Sequence, residues 1–217
     1  MTAVRPAIAL FAKAPVPGRV KTRLACSFSA ERAARLHSCF VRDMLEMLRA
    51  FETHSSLQLH TDVITDEWDD IEVARFLQTD GDLGARMLHA LQAGLAEGRP
   101  QVLIAGSDAP TLPPSHLSRL LASPADVALG PTDDGGFYAI CCRRTHPRLF
   151  AGVRWSQPNT LQETLRAARA CGLSVELGEP WYDIDTPADL LRLAGSADLP
   201  RHTAAWLASA SLTGLTP

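Results

Sequence analysis

The alternation of short apolar runs with amphipathic stretches restricts the fold of this chain more than any other feature. The runs AIALFA at residues 7–12 and VLIAG at residues 102–106 contain no polar side chain, which is typical of strands buried on both faces of a parallel sheet. Between them, apolar residues recur at helical spacing over residues 30–51 and again over residues 81–95. Strands that alternate with helices predict an α/β protein with a mostly parallel central sheet.

The rest of the chain continues this alternation. Further strands are predicted at residues 57–65, 125–131, 136–142 and 174–184. Further helices are predicted at residues 113–121, 160–172, 186–193 and around 204–208. A chain of 217 residues is long enough to bury a core of its own. We therefore predict one domain over residues 1–194, with residues 195–217 as a C-terminal helical tail packed on the same domain.

Composition and charge exclude several classes of protein. The net charge of −3 argues against a nucleic-acid binder, so any anion site must be local. The chain contains no apolar stretch of about 18 residues and no signal-peptide pattern. Its five cysteines show no CxxC spacing, which favours reduced thiols in a cytoplasmic protein. We expect a cytoplasmic protein with neither a membrane nor a nucleic-acid partner, and its oligomeric state stays open.

A basic loop follows the first apolar run. The segment AKAPVPGRVKTRL, residues 12–24, has no acidic residue, and Gly18 lets its backbone approach a ligand closely. Its basic side chains are Lys13, Arg19, Lys21 and Arg23. Ligands of open α/β sheets bind at the carboxyl ends of the strands, so this loop suits a phosphate or pyrophosphate. It is not a Walker A loop, because Val20 stands where that motif needs glycine, and a solvated basic turn is the alternative.

Acidic residues follow two later segments. Asp108, in GSDAPTL, comes directly after the buried run VLIAG and could hold a metal or substrate, or cap a turn. In YDIDTPADL, residues 186–189 are typical of a capped helix start, which leaves Asp183 and Asp185 unexplained. Asp185 could pair with Asp108 across a divalent cation, since Mg²⁺ takes oxygen ligands and bridges to phosphates.

A pair of acids and a pair of glycines stand between two predicted strands in PTDDGGFYAI. They are Asp133, Asp134, Gly135 and Gly136, and Tyr138 follows them. Asp-Gly is a strong signal for a hairpin turn. The same residues can also present carboxylates and bare backbone to a hydroxylated ligand. The spacing alone leaves both interpretations open.

Taken in order, five motifs resemble a known family. FAKAPVPGRVKTRL, GDLGARM, GSDAPTL, GPTDDGGFYAI and YDIDTPADL are similar to segments of bacterial proteins provisionally named nucleotide-diphospho-sugar transferases, some of them labelled glycosyltransferases of arsenosugar biosynthesis. That group is related to molybdenum-cofactor and 2-phospholactate guanylyltransferases. The resemblance covers about residues 7–193 and implies a single GT-A-type, Rossmann-like domain with a mixed sheet.

The resemblance also implies roles for individual residues. Residues matching the nucleotide-binding parts are Lys13, Gly18, Arg19, Lys21, Arg23, Gln78, Gly81, Asp82 and Gly84. Asp108 and Asp185 match the ligands of Mg²⁺ or Mn²⁺, and Asp108, Lys21 and Arg23 are the expected catalytic residues. Residues matching the acceptor or sugar side are Asp133, Asp134, Gly135, Gly136 and Tyr138.

Three functions remain open at this point. A glycosyltransferase would break the bond from sugar to phosphate and release a nucleoside diphosphate. A nucleotidyltransferase would let an acceptor phosphate attack the α-phosphorus and release pyrophosphate. A nucleotide-binding protein without turnover is the third. The family label favours glycosyl transfer from a nucleotide-diphospho-sugar to a small-molecule acceptor, which we take as the first expectation, while the related guanylyltransferases favour nucleotidyl transfer.

Overall fold

The computed structural model describes residues 4–25 and 27–209, and its elements follow one another as strands and helices in alternation. The strands are β1 Ala7–Ala12, β2 Ser56–Thr61, β3 Ala74–Leu77, β4 Val102–Gly106, β5 Val127–Pro131, β6 Phe137–Cys142 and β7 Val175–Leu177. The helices are α1 Ala30–Leu48, α2 Leu83–Ala96, α3 Pro114–Ala122, α4 Thr160–Ala170, α5 Pro187–Ala194 and α6 Arg201–Ser209.

In the described part of the chain, the seven strands form one mixed sheet in the order β3-β2-β1-β4-β6-β5-β7. β1 pairs in parallel with β2 and β4, and β6 runs antiparallel to both of its neighbours. The predicted α/β class, with a mixed and mostly parallel sheet, is therefore confirmed. The two strands with the most apolar sequences, β1 and β4, lie next to each other near the centre.

Helices cover both faces of the sheet because successive side chains of a strand point to opposite faces. Ile8 and Leu10 of β1 join one buried cluster with Met44 of α1. Ala9 and Phe11 join a second cluster on the other face, together with residues of α2 and α4. An uninterrupted apolar strand is what such two-sided burial requires.

The edge strand β3 was not predicted. Its sequence ARFL is short, and its side chains are exposed or only partly buried. An edge strand pairs on one side only and needs no continuous apolar run, so periodicity gives no signal for it. β7 is shorter than predicted, since after Leu177 the chain makes only one isolated bridge to the sheet, between Thr132 and Trp181.

The last described helix, α6, packs on α1. The Asp43 carboxylate accepts hydrogen bonds from the backbone N–H groups of His202 and Thr203, at 2.9 and 2.8 Å. Trp206 lies in a third buried cluster with Leu36 and Phe40. The helix predicted around residues 204–208 is thus present. The domain limit at residue 194 stays a prediction, and residues 210–217 of the predicted tail lie outside the described residues.

Hydropathy of the helices bears on the membrane prediction. Among residues 4–25 and 27–209, no helix combines the length and apolar character needed to cross a bilayer.

Candidate active site

A cavity of about 780 Å³ opens at the carboxyl ends of β1 and β4. Most of the predicted site residues line it: Lys13, Arg19, Lys21, Arg23, Gln78, Asp108, Asp134, Gly136, Tyr138 and Asp185. They come from five separate segments of the chain. The sheet brings them together because the loops after β1 and β4 leave from the same edge.

The remaining predicted site residues do not line the cavity, although the structure describes all of them. Asp82 caps α2 by accepting a hydrogen bond from the Ala85 N–H at 2.8 Å. Gly84 lets α2 approach Trp155, whose ring would lie 2.7 Å from a Cβ at this position. Gly18 and Gly81 have φ values of +78° and +110°, so both serve the backbone path of their loops.

The Asp-Gly segment is a hairpin turn between β5 and β6, and it also borders the cavity. Asp134 accepts hydrogen bonds from the Thr132 hydroxyl at 2.5 Å and the Gly136 N–H at 2.9 Å, which holds the turn. Asp133 points away and pairs with Arg192 at 3.1 Å on the surface. Gly135, at φ +88°, packs against the backbone of the segment before α4. Of the predicted acceptor residues in this turn, only Asp134 and Gly136 therefore line the cavity.

The two predicted metal ligands meet around a lysine. The Lys21 ammonium lies 2.6 Å from Asp108 Oδ1 and 2.9 Å from Asp185 Oδ1, and it donates to the Ile184 carbonyl at 2.6 Å. The Lys21 side chain is only 3% exposed. The Ile184 N–H donates to the Asp108 carbonyl at 2.9 Å, so the backbone itself brings the two acidic segments together.

This ion cluster shifts the pKa values of its members. Burial acts to lower the pKa of Lys21, but Asp108 and Asp185 outweigh it and raise the pKa above its ordinary value. Burial acts to raise the pKa of Asp108, and Lys21 outweighs it and lowers the pKa. Lys21 and Asp108 therefore stay charged near neutral pH.

His37 of α1 is a cavity residue that the sequence analysis missed. Its Nε2 donates to the Lys13 carbonyl at 2.9 Å, and its Nδ1 lies 3.9 Å from Asp108 Oδ1. Nδ1 is buried and has no hydrogen-bond partner among the described residues. Burial lowers the pKa of His37, against the effect of Asp108. A polar residue on the buried face of α1, one turn before Phe40, was the signal that could have identified it.

Two further polar residues hold the walls of the cavity. Asp62 accepts from the Ala14 N–H at 2.7 Å and pairs with Arg19 at 3.3 Å, which ties the basic loop to the end of β2. Gln78 donates from its side chain to the His60 carbonyl at 2.9 Å. Asp62 was not predicted, because its partners are distant in sequence.

Charge is divided across the cavity. Residues 11–108 contribute five basic side chains to its lining: Lys13, Arg19, Lys21, Arg23 and Arg86. Residues 132–185 contribute Asp134, Asp183 and Asp185, and no lysine or arginine of the described chain comes from that side. Burial, together with Asp134 and Asp185, raises the pKa of Asp183 to about 7. We call the lining from residues 11–108, which also includes Asp108, the basic wall, and the lining from residues 132–185 the acidic wall; the first suits an anion and the second does not.

Metal-ligand residue types also meet away from the cavity, at Asp43, Glu46 and His202. Asp43 already caps α6, and Glu46 pairs with Arg201 at 2.6 Å. These interactions account for both carboxylates without an ion. The cluster is therefore separate from the pair predicted to bind metal.

Comparison with known proteins identifies the family and supports the fold. The profile of a family described as "Uncharacterized protein conserved in bacteria (DUF2064)" matches residues 45–157. The chain belongs to this family. A protein of Desulfovibrio desulfuricans G20, provisionally named a nucleotide-diphospho-sugar transferase, is 31% identical over 95% of both chains, with a TM-score of 0.83. No curated protein matches in sequence.

More distant solved structures share the fold of this DUF2064 protein. CMP:2-keto-3-deoxy-manno-octonic acid synthetase, solved with CTP, is 12% identical over 87% of this chain and 96% of its own, with a TM-score of 0.58. A nucleotidyl transferase of Methanothermobacter thermautotroptrophicus is 15% identical over 95% and 99%, also with a TM-score of 0.58. A Mycobacterium tuberculosis H37Rv protein solved with manganese is 16% identical over 90% and 100%, with a TM-score of 0.50.

These findings confirm the family resemblance drawn from the five motifs. The name of the Desulfovibrio desulfuricans relative agrees with the prediction that the chain is an enzyme of the transferase class. The roles of individual residues stay predictions, as do the metal and the type of group transferred.

Proposed function

We propose that this DUF2064 protein transfers a glycosyl group from a nucleotide-diphospho-sugar to a small hydroxylated acceptor, with Mg²⁺ or Mn²⁺ bound to the phosphates. One observation carries the proposal: a single cavity has a basic wall and an acidic wall free of lysine and arginine among the described residues, and one aspartate of each wall, Asp108 and Asp185, meets the other at Lys21.

The basic wall provides the donor site. Arg19 and Arg23 are suited to phosphate oxygens, because a guanidinium can donate two parallel hydrogen bonds to one anion. Lys13 and Lys21 add two further positive charges close to the same place. Gln78 and the start of α2 border this wall and would hold the base and ribose. The leaving nucleoside diphosphate would carry developing negative charge, which these side chains would stabilise.

The chemistry of Asp108 and Asp185 fits a hard divalent cation. Both are carboxylates, and both already face one positive charge, the Lys21 ammonium, within 2.9 Å. A bound cation would neutralise charge on the leaving phosphate. A manganese complex of a protein with the same fold is compatible with this choice.

The acidic wall favours glycosyl over nucleotidyl transfer. A nucleotidyltransferase of the predicted kind must hold a second phosphate, the attacking one, on the acceptor side. The Asp134 carboxylate would repel that phosphate, whereas Asp134 and Asp183 can both form hydrogen bonds with sugar hydroxyls, Asp183 in either protonation state because its pKa is about 7. The ring of Trp155 lines the same wall and offers an apolar surface to a sugar ring. In the proposed reaction the bond between the anomeric carbon and the phosphate oxygen of the donor breaks, and the nucleoside diphosphate leaves. A bond forms between the anomeric carbon and the oxygen of the acceptor hydroxyl, whose proton passes to solvent.

Nucleotidyl transfer is the second candidate, because the more distant relatives include a nucleotidyl transferase and a CTP-bound synthetase. In that case the basic wall would hold a nucleoside triphosphate, and pyrophosphate would leave.

Product analysis tests the choice. The protein is incubated with Mn²⁺ and either nucleotide-sugars or nucleoside triphosphates, with pools of neutral sugars and of sugar phosphates as acceptors. We expect nucleoside diphosphate to be released with neutral acceptors. Pyrophosphate released only with phosphorylated acceptors would overturn glycosyl transfer. Asp133→Asn, a neighbouring acid outside the cavity, serves as the control beside Asp134→Asn.

A further inference from the structure

The Lys21 ammonium lies where the proposed divalent cation should bind. We infer that Lys21 is a resident cation. In the free protein its ammonium bridges Asp108 and Asp185, and it moves away from them when a nucleotide offers its phosphates, so that metal and nucleotide bind together. This inference rests on the proposed nucleotide site.

The lysine pairs with one oxygen of each carboxylate without any metal, while the two aspartate side chains stay 44% and 42% exposed. An ammonium has three N–H donors, and Lys21 has three acceptors within 2.9 Å: Asp108, Asp185 and the Ile184 carbonyl. Its side chain is only 3% exposed, so water cannot replace these partners. A dication entering alone would displace a buried ammonium and leave it beside a like charge without a partner, which is strongly unfavourable. Metal binding to the free protein is therefore weak.

Nucleotide phosphates would remove this obstacle. Lys21 belongs to the same loop as Arg19 and Arg23, and all three line the cavity. A lysine carries its charge on a flexible four-carbon stem, so its ammonium can move to a phosphate oxygen without movement of the backbone. The phosphates then serve as acceptors for Lys21 and as additional ligands for the cation. Each ligand thereby raises the affinity for the other by the same factor.

His37 provides a second, independent observation. Its Nε2 carries the hydrogen because it donates to the Lys13 carbonyl, so Nδ1 can only accept. Nδ1 lies 3.9 Å from Asp108 Oδ1, is buried, and has no partner in the described part of the chain. A buried acceptor without a donor is costly. Its position suits a donor that arrives when the cluster rearranges, such as a water molecule on the incoming cation.

Mn²⁺ binding measured by electron paramagnetic resonance tests the inference. The free Mn²⁺ signal is titrated with wild-type protein and with Lys21→Met, first without nucleotide and then with UDP, GDP, CDP or ADP. We expect Lys21→Met to bind Mn²⁺ alone at least tenfold more tightly than the wild type. We expect one nucleotide to strengthen Mn²⁺ binding at least tenfold in the wild type and far less in the variant.

Matched variants exclude trivial explanations. Arg119→Met removes one positive charge from a residue outside the cavity lining, whose partner is Glu179 at 2.6 Å, so it should change Mn²⁺ affinity less than threefold. Adding Asp108→Asn to Lys21→Met should abolish the gained binding, which separates this site from Asp43, Glu46 and His202. Lys21→Gln is the substitute if Lys21→Met does not fold.

The Mn²⁺ titrations without and with nucleotide separate this inference from the proposed function. Equal Mn²⁺ affinity of wild type and Lys21→Met without nucleotide would overturn the resident-cation role, whatever the nucleotides do. Tighter Mn²⁺ binding by the variant, together with no effect of any nucleotide on either protein, would overturn both the coupling and the proposed donor site.

Discussion

The basic loop of residues 12–24 and the acidic hairpin turn of residues 132–136 both line one cavity, yet they place their side chains differently. All four basic residues of the loop line the cavity. Of the two aspartates in the turn, Asp134 faces inward and Asp133 faces the surface. A long loop without strand pairing can turn several side chains to one side, whereas a short turn between paired strands cannot. Charge density in a sequence is therefore a better guide to a site in a long loop than in a hairpin.

The largest expected effect concerns the aspartates between these two regions. Asp108→Asn should lower turnover about 10³-fold, because the leaving phosphate loses the charge arranged to stabilise it. It should also abolish the Mn²⁺-dependent rise in melting temperature that a bound nucleotide produces. Thermal-shift and product assays on wild type, variant and EDTA-treated wild type measure this. A variant that keeps a tenth of the activity would remove Asp108 from the catalytic residues.

Glycines in the two regions sharpen the comparison through stability. Gly135→Ala in the hairpin should cost several kcal/mol, because φ is +88° and the new Cβ would clash with the Pro158 backbone. Gly18→Ala in the basic loop, at φ +78°, should cost only about 1 kcal/mol, since a Cβ there meets nothing within 4 Å. Urea unfolding of both variants measures the difference. An equal loss of unfolding free energy in the two variants would mean that the hairpin backbone shifts to avoid the clash.

The inward and outward aspartates of the hairpin can be compared directly. Asp134→Asn keeps the oxygen that holds the turn but removes the charge facing the cavity, so we expect kcat/KM for a hydroxylated acceptor to fall about tenfold. Asp133→Asn should leave kcat/KM within about twofold, because its partner Arg192 lies on the surface. Steady-state kinetics with varied acceptor gives both values. A similar loss in the two variants would contradict the division between inward and outward residues.

The smallest effect on stability is expected at Arg19. Its side chain is 57% exposed, so loss of its pair with Asp62 in Arg19→Ala should change the free energy of unfolding by about 0.5 kcal/mol or less. Donor affinity should nevertheless fall about tenfold, because a phosphate contact is lost. Urea unfolding and nucleotide titration separate the two effects. A large loss of stability would indicate that Arg19 holds the loop and not the ligand.

Much of the fold was predictable because burial on both faces leaves a clear apolar pattern. The runs that became β1 and β4 were identified for this reason, while β3, an exposed edge strand, left no such pattern. That Lys21 and Asp108 lie at the same edge of the sheet could be expected, because their segments follow β1 and β4, whereas Asp185 lies well beyond the end of β7. The absence of Asp133 from the cavity could not be predicted, because the direction of a side chain in a turn depends on the backbone path of that turn.

The sequence by itself determined the α/β class, the family and the group of charged residues that gather at one edge of the sheet, since periodicity and local motifs depend only on near neighbours along the chain. Only the tertiary structure decided that Lys21 lies between Asp108 and Asp185, that His37 carries a buried nitrogen beside them, and that the two walls of the cavity differ in charge. These facts depend on contacts between residues up to 164 positions apart, and such distances are set by how the helices and strands pack.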